Sequence, residues 1–207
     1  MARVGINVDR AVGVSIPNVR RIAKAAGTDH QLARSLWGTD VHEARILAVH
    51  VADAAAMSRA EMDAWAAELD SWDVTDAAAD LFAATRFRDR AIAAWARSDQ
   101  AFVKRLAFAM IARRAVGDAA AGDDEFTAYF PIIRRGSRDE RNEVKKGVSW
   151  ALRQIGKRSP ALYRAVEAEA RTMLDEAIDA GSRSERWIAR DVLRELRHPG
   201  HAARLAR

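Results

Sequence analysis

Cysteine is absent from all 207 residues, which excludes disulfides, thiolate nucleophiles and cysteine-held metals. A chain without it belongs naturally in a reducing compartment, and cytoplasmic residence is the expectation. No eighteen apolar residues run together, so no membrane-spanning helix is expected. The stretch from Met1 to Arg20 mixes Arg3, Asp9, Arg10 and Arg20 among short apolar residues, unlike the continuous apolar core of a secretory leader. Four prolines and 11 glycines are few for this length, and β-branched alternation is nearly missing, which argues against sheets. There is no glycine-rich phosphate loop and no G-x-S-x-G turn to raise a serine nucleophile. His42-Glu43 begins like a zinc-protease helix, but Ile46 stands where the second histidine is required. His42 and His50 are too far apart along one helix face to share an ion, so no metal site is expected.

Charge is what the chain does have. Thirty-four Lys and Arg against 29 Asp and Glu leave a net charge of +5, and the sequence pI is about 10.0. That balance favours an anionic partner, nucleic acid first. Acidic residues gather between Asp53 and Asp80, basic ones between Arg134 and Arg158.

Apolar residues recur at helical spacing almost throughout, broken at Gly27-Thr28-Asp29, Gly38-Thr39-Asp40, Ser58, Ser71, Arg97-Ser98-Asp99, Gly117, Gly122-Asp123, Gly136-Ser137, Ser159-Pro160 and Gly181-Ser182. Most breaks pair a glycine stop with a residue able to cap the next helix. About ten helices are predicted. A recurrent pattern of cap, polar first turn and basic residue places Arg45, Arg105, Lys146 and Arg190 in equivalent positions, separated by 60, 41 and 44 residues. Spacings of that size point to an all-α, HEAT- or armadillo-like superhelix forming a single domain over residues 1–207, with a plain helical bundle as the alternative. Asp123-Asp124-Glu125 is expected to open a helix in keeping with its dipole.

Three helices carry conspicuous residues away from their apolar stripe. In the helix predicted over Glu143–Lys157, Val144, Val148, Ala151, Leu152 and Ile155 share one side, while Trp150 lies opposite with Lys146, Arg153 and Lys157. A neighbouring helix covering Trp150, or a lone surface tryptophan, is the plain alternative. After Ser71, the stripe Val74, Ala78, Leu81 and Thr85 leaves Trp72 and Asp76 one turn apart on another side. An acid this near a helix start also suits the dipole. In the helix over Asp99–Arg114, Phe102, Leu106, Ala109 and Met110 form the stripe, with Arg105 on its flank near Phe108 and Ala112. A row of such basic residues along a concave solenoid face would track a phosphate backbone; ordinary solvated helix surface is the other reading for each.

Four stretches resemble the AlkD-type HEAT-repeat DNA glycosylases. Gly13-Val-Ser-Ile-Pro-Asn-Val-Arg20 is similar to the family's G-[IV]-x-x-P-x-x-R. Ser71-Trp-Asp-Val-Thr-Asp76 resembles its S-W-D-x-x-D element. Ser98-Asp-Gln-Ala-Phe-Val-Lys-Arg105 resembles the repeat carrying its cleft arginine, and Lys146-Gly-Val-Ser-Trp-Ala-Leu-Arg153 its K-x-x-x-W-x-L-R helix. The resemblance implies that Trp72, Asp76, Arg105 and Trp150 are catalytic-cleft residues; the basic residues Arg45, Lys104, Lys146, Arg153, Lys157 and Arg190 are the expected DNA contacts. The resemblance further implies excision of N3- and N7-alkylated purines from duplex DNA without base flipping, by a monomer needing neither metal nor cofactor. A non-catalytic HEAT-like scaffold, binding DNA or a protein through its concave basic face, is the alternative.

Overall fold

In the computed structural model, residue 7 and residues 9–198 are described, and among them every regular element is an α-helix. There are twelve: α1 Ile16–Ala26, α2 His30–Trp37, α3 His42–Val51, α4 Arg59–Ala67, α5 Trp72–Ala83, α6 Arg88–Trp95, α7 Ala101–Gly117, α8 Asp123–Thr127, α9 Phe130–Ser137, α10 Asn142–Gly156, α11 Pro160–Ala180 and α12 Arg183–Leu196. None of the described helices is long and apolar enough to cross a membrane.

The predicted breaks all fall between or at the ends of helices, and Asp29, Ser58, Ser159 and Ser182 accept a backbone N–H of the following helix, as N-caps do. Asp123, Asp124 and Glu125 fill the first turn of α8. Two breaks lie outside the predicted set. After α5 the Thr85 hydroxyl donates to the Phe82 carbonyl (2.9 Å), a side-chain closure that competes with the next helical turn. Before α9, Pro131 starts a new helix because its fixed φ and missing N–H suit only a first turn.

The chain divides into two compact units, residues 1–91 and 92–207, with the division inside α6. In the first unit α1, α2 and α5 pack on α3. Trp37 and Trp65 stack with centroids 4.2 Å apart, and the Trp37 indole N–H donates to Glu68 Oε2 (3.0 Å). The segment before α1 is laced to two helix starts. Asn7 N–H donates to Ser71 Oγ (2.8 Å), so the residue expected to cap α5 instead anchors the chain's beginning. Val12 and Gly13 N–H donate to the Glu43 carboxylate (2.9 and 2.8 Å). Burial raises the Glu43 pKa, but these bonds and its own backbone N–H outweigh it and hold the carboxyl below its ordinary value. Gly13 has φ +83°, a conformation glycine tolerates and side chains resist. His42, dismissed as a metal ligand, pairs with Asp73 on α5 (2.9 Å).

In the second unit α10 packs against α7, α9, α11 and α12. Its predicted stripe (Val144, Val148, Ala151, Leu152, Ile155) is fully buried. Helix α7 departs from the one-stripe expectation. From Val103 to Ala115 it is buried on nearly every side, Arg105 and Arg114 included. Gly136 on α9 lies directly against the Phe108 ring of α7, closer than any side-chain carbon permits.

One four-residue turn, Arg138–Arg141, leads into α10 and clasps the starts of α7 and α12. Asp139 accepts a forked pair from Arg141 (Nε 2.9 Å, Nη2 2.6 Å) and a bond from Lys104 near the start of α7 (2.9 Å). Arg141 Nη1 donates to the Asp99 carbonyl. Glu140 Oε1 accepts the N–H groups of Arg183 and Ser184 at the start of α12, and Ser184 Oγ donates to the Asp139 carbonyl (2.7 Å). The Arg141 fork, with Lys104, holds the Asp139 carboxyl far below the aspartate range against the opposing effect of burial.

Candidate functional site

The residues singled out from sequence fall in both units. In the first, Trp72 and Asp76 occupy the first two turns of α5. The stripe Val74, Ala78 and Leu81 is buried, and Thr85 just beyond it is too; Trp72 is 37% exposed and Asp76 is half-buried. The helix therefore presents an indole and a carboxylate one turn apart, away from the core.

Arg45 stands elsewhere. It is only 9% exposed, its Nη2 lies 2.7 Å from both Glu68 Oε2 and Asp40 Oδ1, and its guanidinium sits over the Trp37 ring at 5.2 Å. The equivalence drawn between Arg45 and the other basic residues holds in sequence position but not in depth. Its charge is already balanced inside the first unit, so a solvent-facing phosphate contact is not what this side chain offers.

In the second unit Arg105 is 7% exposed, and its Nη1 donates to the Glu143 carbonyl (2.9 Å) at the start of α10. It thereby ties α7 to the helix that carries Trp150. Trp150 is half-buried, with the Arg113 guanidinium 5.1 Å from its ring centroid. Arg113 was not singled out from sequence, although it lies two turns after Arg105, on the same broad side of α7. Lys104 is held by Asp139, Lys157 donates to Glu195 of α12 (2.7 Å), and Arg153 lies 3.6 Å from Asp191 of α12. These three serve helix packing as well as surface charge. Lys146 and Arg190 remain exposed.

The described residues hold no cluster of three or more His, Asp or Glu side chains suited to a metal. What α5 provides is a carboxylate able to stabilise positive charge and an indole face able to hold it, and what α7 and α10 provide is an indole in the company of guanidinium groups.

These features define the class: an all-helical protein whose fold is that of the HEAT-like repeat DNA glycosylases. A solved structure described as representing "a new family of proteins related to the HEAT-like repeat DNA glycosylases with affinity for branched DNA structures" superimposes with a TM-score of 0.72, covering 87% of this chain and 86% of that one at 15% identity. No curated protein matches the sequence. The family model for DNA alkylation repair enzymes matches residues 1–183, and the chain belongs to that family.

Proposed function

We propose that this protein is a DNA N-glycosylase that hydrolyses the N-glycosidic bond of cationic N3- and N7-alkylated purines in duplex DNA. The observation that carries this reading is the Trp72–Asp76 pair, held off the core of α5 in a member of the alkylation repair family. An alkylated purine bears a positive charge already. When its bond to C1′ breaks, the bonding electrons neutralise the base, which leaves without prior protonation. The sugar becomes an oxocarbenium ion, water adds to C1′, and one proton is released, leaving an abasic site. Asp76 stabilises the cationic sugar and orients the water. The face of Trp72, one turn away on the same helix, favours the same positive charge. In the second unit Arg105 serves by fixing α10, the helix that carries Trp150. Nothing in this chemistry asks for a metal, a cofactor or a second subunit.

The test is base release from duplexes carrying N7-methylguanine and N3-methyladenine, by the wild type and by Asp76→Asn. Release by the wild type alone, with duplex binding preserved in the variant, supports the assignment. Equal release by both overturns the role of Asp76. A second reading, DNA binding without excision, draws on the affinity for branched DNA described for the structural relative. It predicts no release by either protein but measurable binding to duplex or junction DNA.

A further inference from the structure

Helix α12 turns two unlike faces to its surroundings. Ile188, Ala189, Val192, Leu193 and Leu196 are buried. On the other side Arg183, Trp187, Arg190 and Arg194 recur at i, i+4, i+7 and i+11, a stripe about 16 Å long at 1.5 Å per residue. With Arg186 and Asp191 they line a shallow cleft of about 360 Å³. Trp187, in the middle, is 39% exposed, and the Lys145 ammonium of α10 lies 5.1 Å from its ring centroid. Asp191 is the one carboxylate of the lining, and it is already engaged by the Ser149 hydroxyl (2.6 Å), by Arg194, and by Arg153 at 3.6 Å. The cleft is therefore strongly positive around an accessible aromatic ring. Family membership does not assign it, because the family match ends at residue 183, where this helix begins.

We propose that this face of α12 binds single-stranded nucleic acid, with an unpaired base stacked on Trp187 and the flanking phosphates held by Arg183, Arg186, Arg190 and Arg194. The aromatic decides between single strand and duplex. A row of arginines alone suffices for duplex phosphates, whereas duplex bases are stacked on one another and leave no free base face for an exposed indole to stack on. An acidic peptide satisfies the arginines but leaves the ring without a partner. A membrane surface would call for further apolar anchors, and the stripe has only Trp187.

The assay is fluorescence anisotropy with a labelled oligothymidylate of about a dozen nucleotides, a blunt duplex and a polyglutamate peptide at equal ionic strength. Stacking on an aromatic side chain is worth about 1–3 kcal/mol per base, so Trp187→Ala is expected to weaken single-strand binding by roughly 5- to 150-fold while leaving duplex binding unchanged. Trp187→Phe is expected to restore most of the loss. Arg190→Gln is expected to reduce the salt dependence of single-strand binding by about one phosphate contact. Trp187 lies on the surface, so its removal leaves no core cavity, and circular dichroism confirms that the variants fold. Unchanged single-strand affinity in Trp187→Ala, an equal loss for duplex, or wild-type affinity for polyglutamate matching that for the oligonucleotide overturns the assignment. None of these readings depends on base excision.

Discussion

Replacing Gly136 by alanine would place a methyl carbon 2.2 Å from Cζ of Phe108, with Cε2 and Cε1 at 2.8 and 3.0 Å. Two effects oppose one another. Alanine in a helix is favoured over glycine by up to about 1 kcal/mol, so in open space the substitution would stabilise α9. Here the ring it meets is fully buried on a helix packed on nearly every side, so it cannot swing out into solvent. Overpacking of this kind costs about 1–3 kcal/mol. Because the methyl is fixed to the backbone of α9 and the ring it meets is rigid and buried, the upper end applies, and a net loss of about 2 kcal/mol is expected. Urea unfolding followed by far-ultraviolet circular dichroism reads this directly. Phe108→Leu shortens the ring's reach, so in a double-mutant cycle with Gly136→Ala the two losses should be less than additive, with a coupling of about 1 kcal/mol or more. A Gly136→Ala protein as stable as the wild type, or fully additive losses, would refute the reasoning.

Two further predictions concern charge. Arg45→Ala should cost about 2 kcal/mol, below the usual range for breaking a buried pair because Glu68 and Asp40 are partly solvated, with no change in DNA affinity at temperatures where the variant is folded; a normal melting temperature with weakened DNA binding would contradict it. Asp139, whose folded pKa is depressed, stabilises the protein fully above the ordinary aspartate range and loses that contribution as pH falls below about 4. Asp139→Asn should therefore be less stable at neutral pH and show a flatter decline of melting temperature in acid; an acid slope equal to the wild type's would count against it.

Much of this architecture is legible in the sequence for a local reason. Glycine stops and hydroxyl or carboxyl caps act within a few residues, so the breaks at Gly27, Ser58 and Ser159 can be read from neighbours alone. The stripes of α5 and α10 follow because each helix keeps a distinct buried side. Helix α7 defeats the same arithmetic, since periodicity presumes one buried face. Depth is the other blind spot. Arg45 and Arg105 look alike in sequence to the exposed Lys146 and Arg190, yet the groups that engage them, Glu68 and the Glu143 carbonyl, lie 23 and 38 residues away. Trp72 and Asp76 were visible as a pair because one turn separates them. The α12 stripe is equally periodic, but the repeat interval singles out only Arg190, and Trp187 and its arginine neighbours fall outside that pattern.

The Arg138–Arg141 turn has a consequence for anyone wishing to alter this protein. Short surface turns between helices are ordinarily where a tag, a cleavage site or a foreign domain can be spliced in, since little depends on their backbone. Here a single severed peptide would release the Asp139 and Arg141 contacts to the start of α7, and Glu140's hold on the start of α12, together. Of the connections in the second unit, this one should tolerate insertion least, and a protease able to reach it would loosen three helices with one cut.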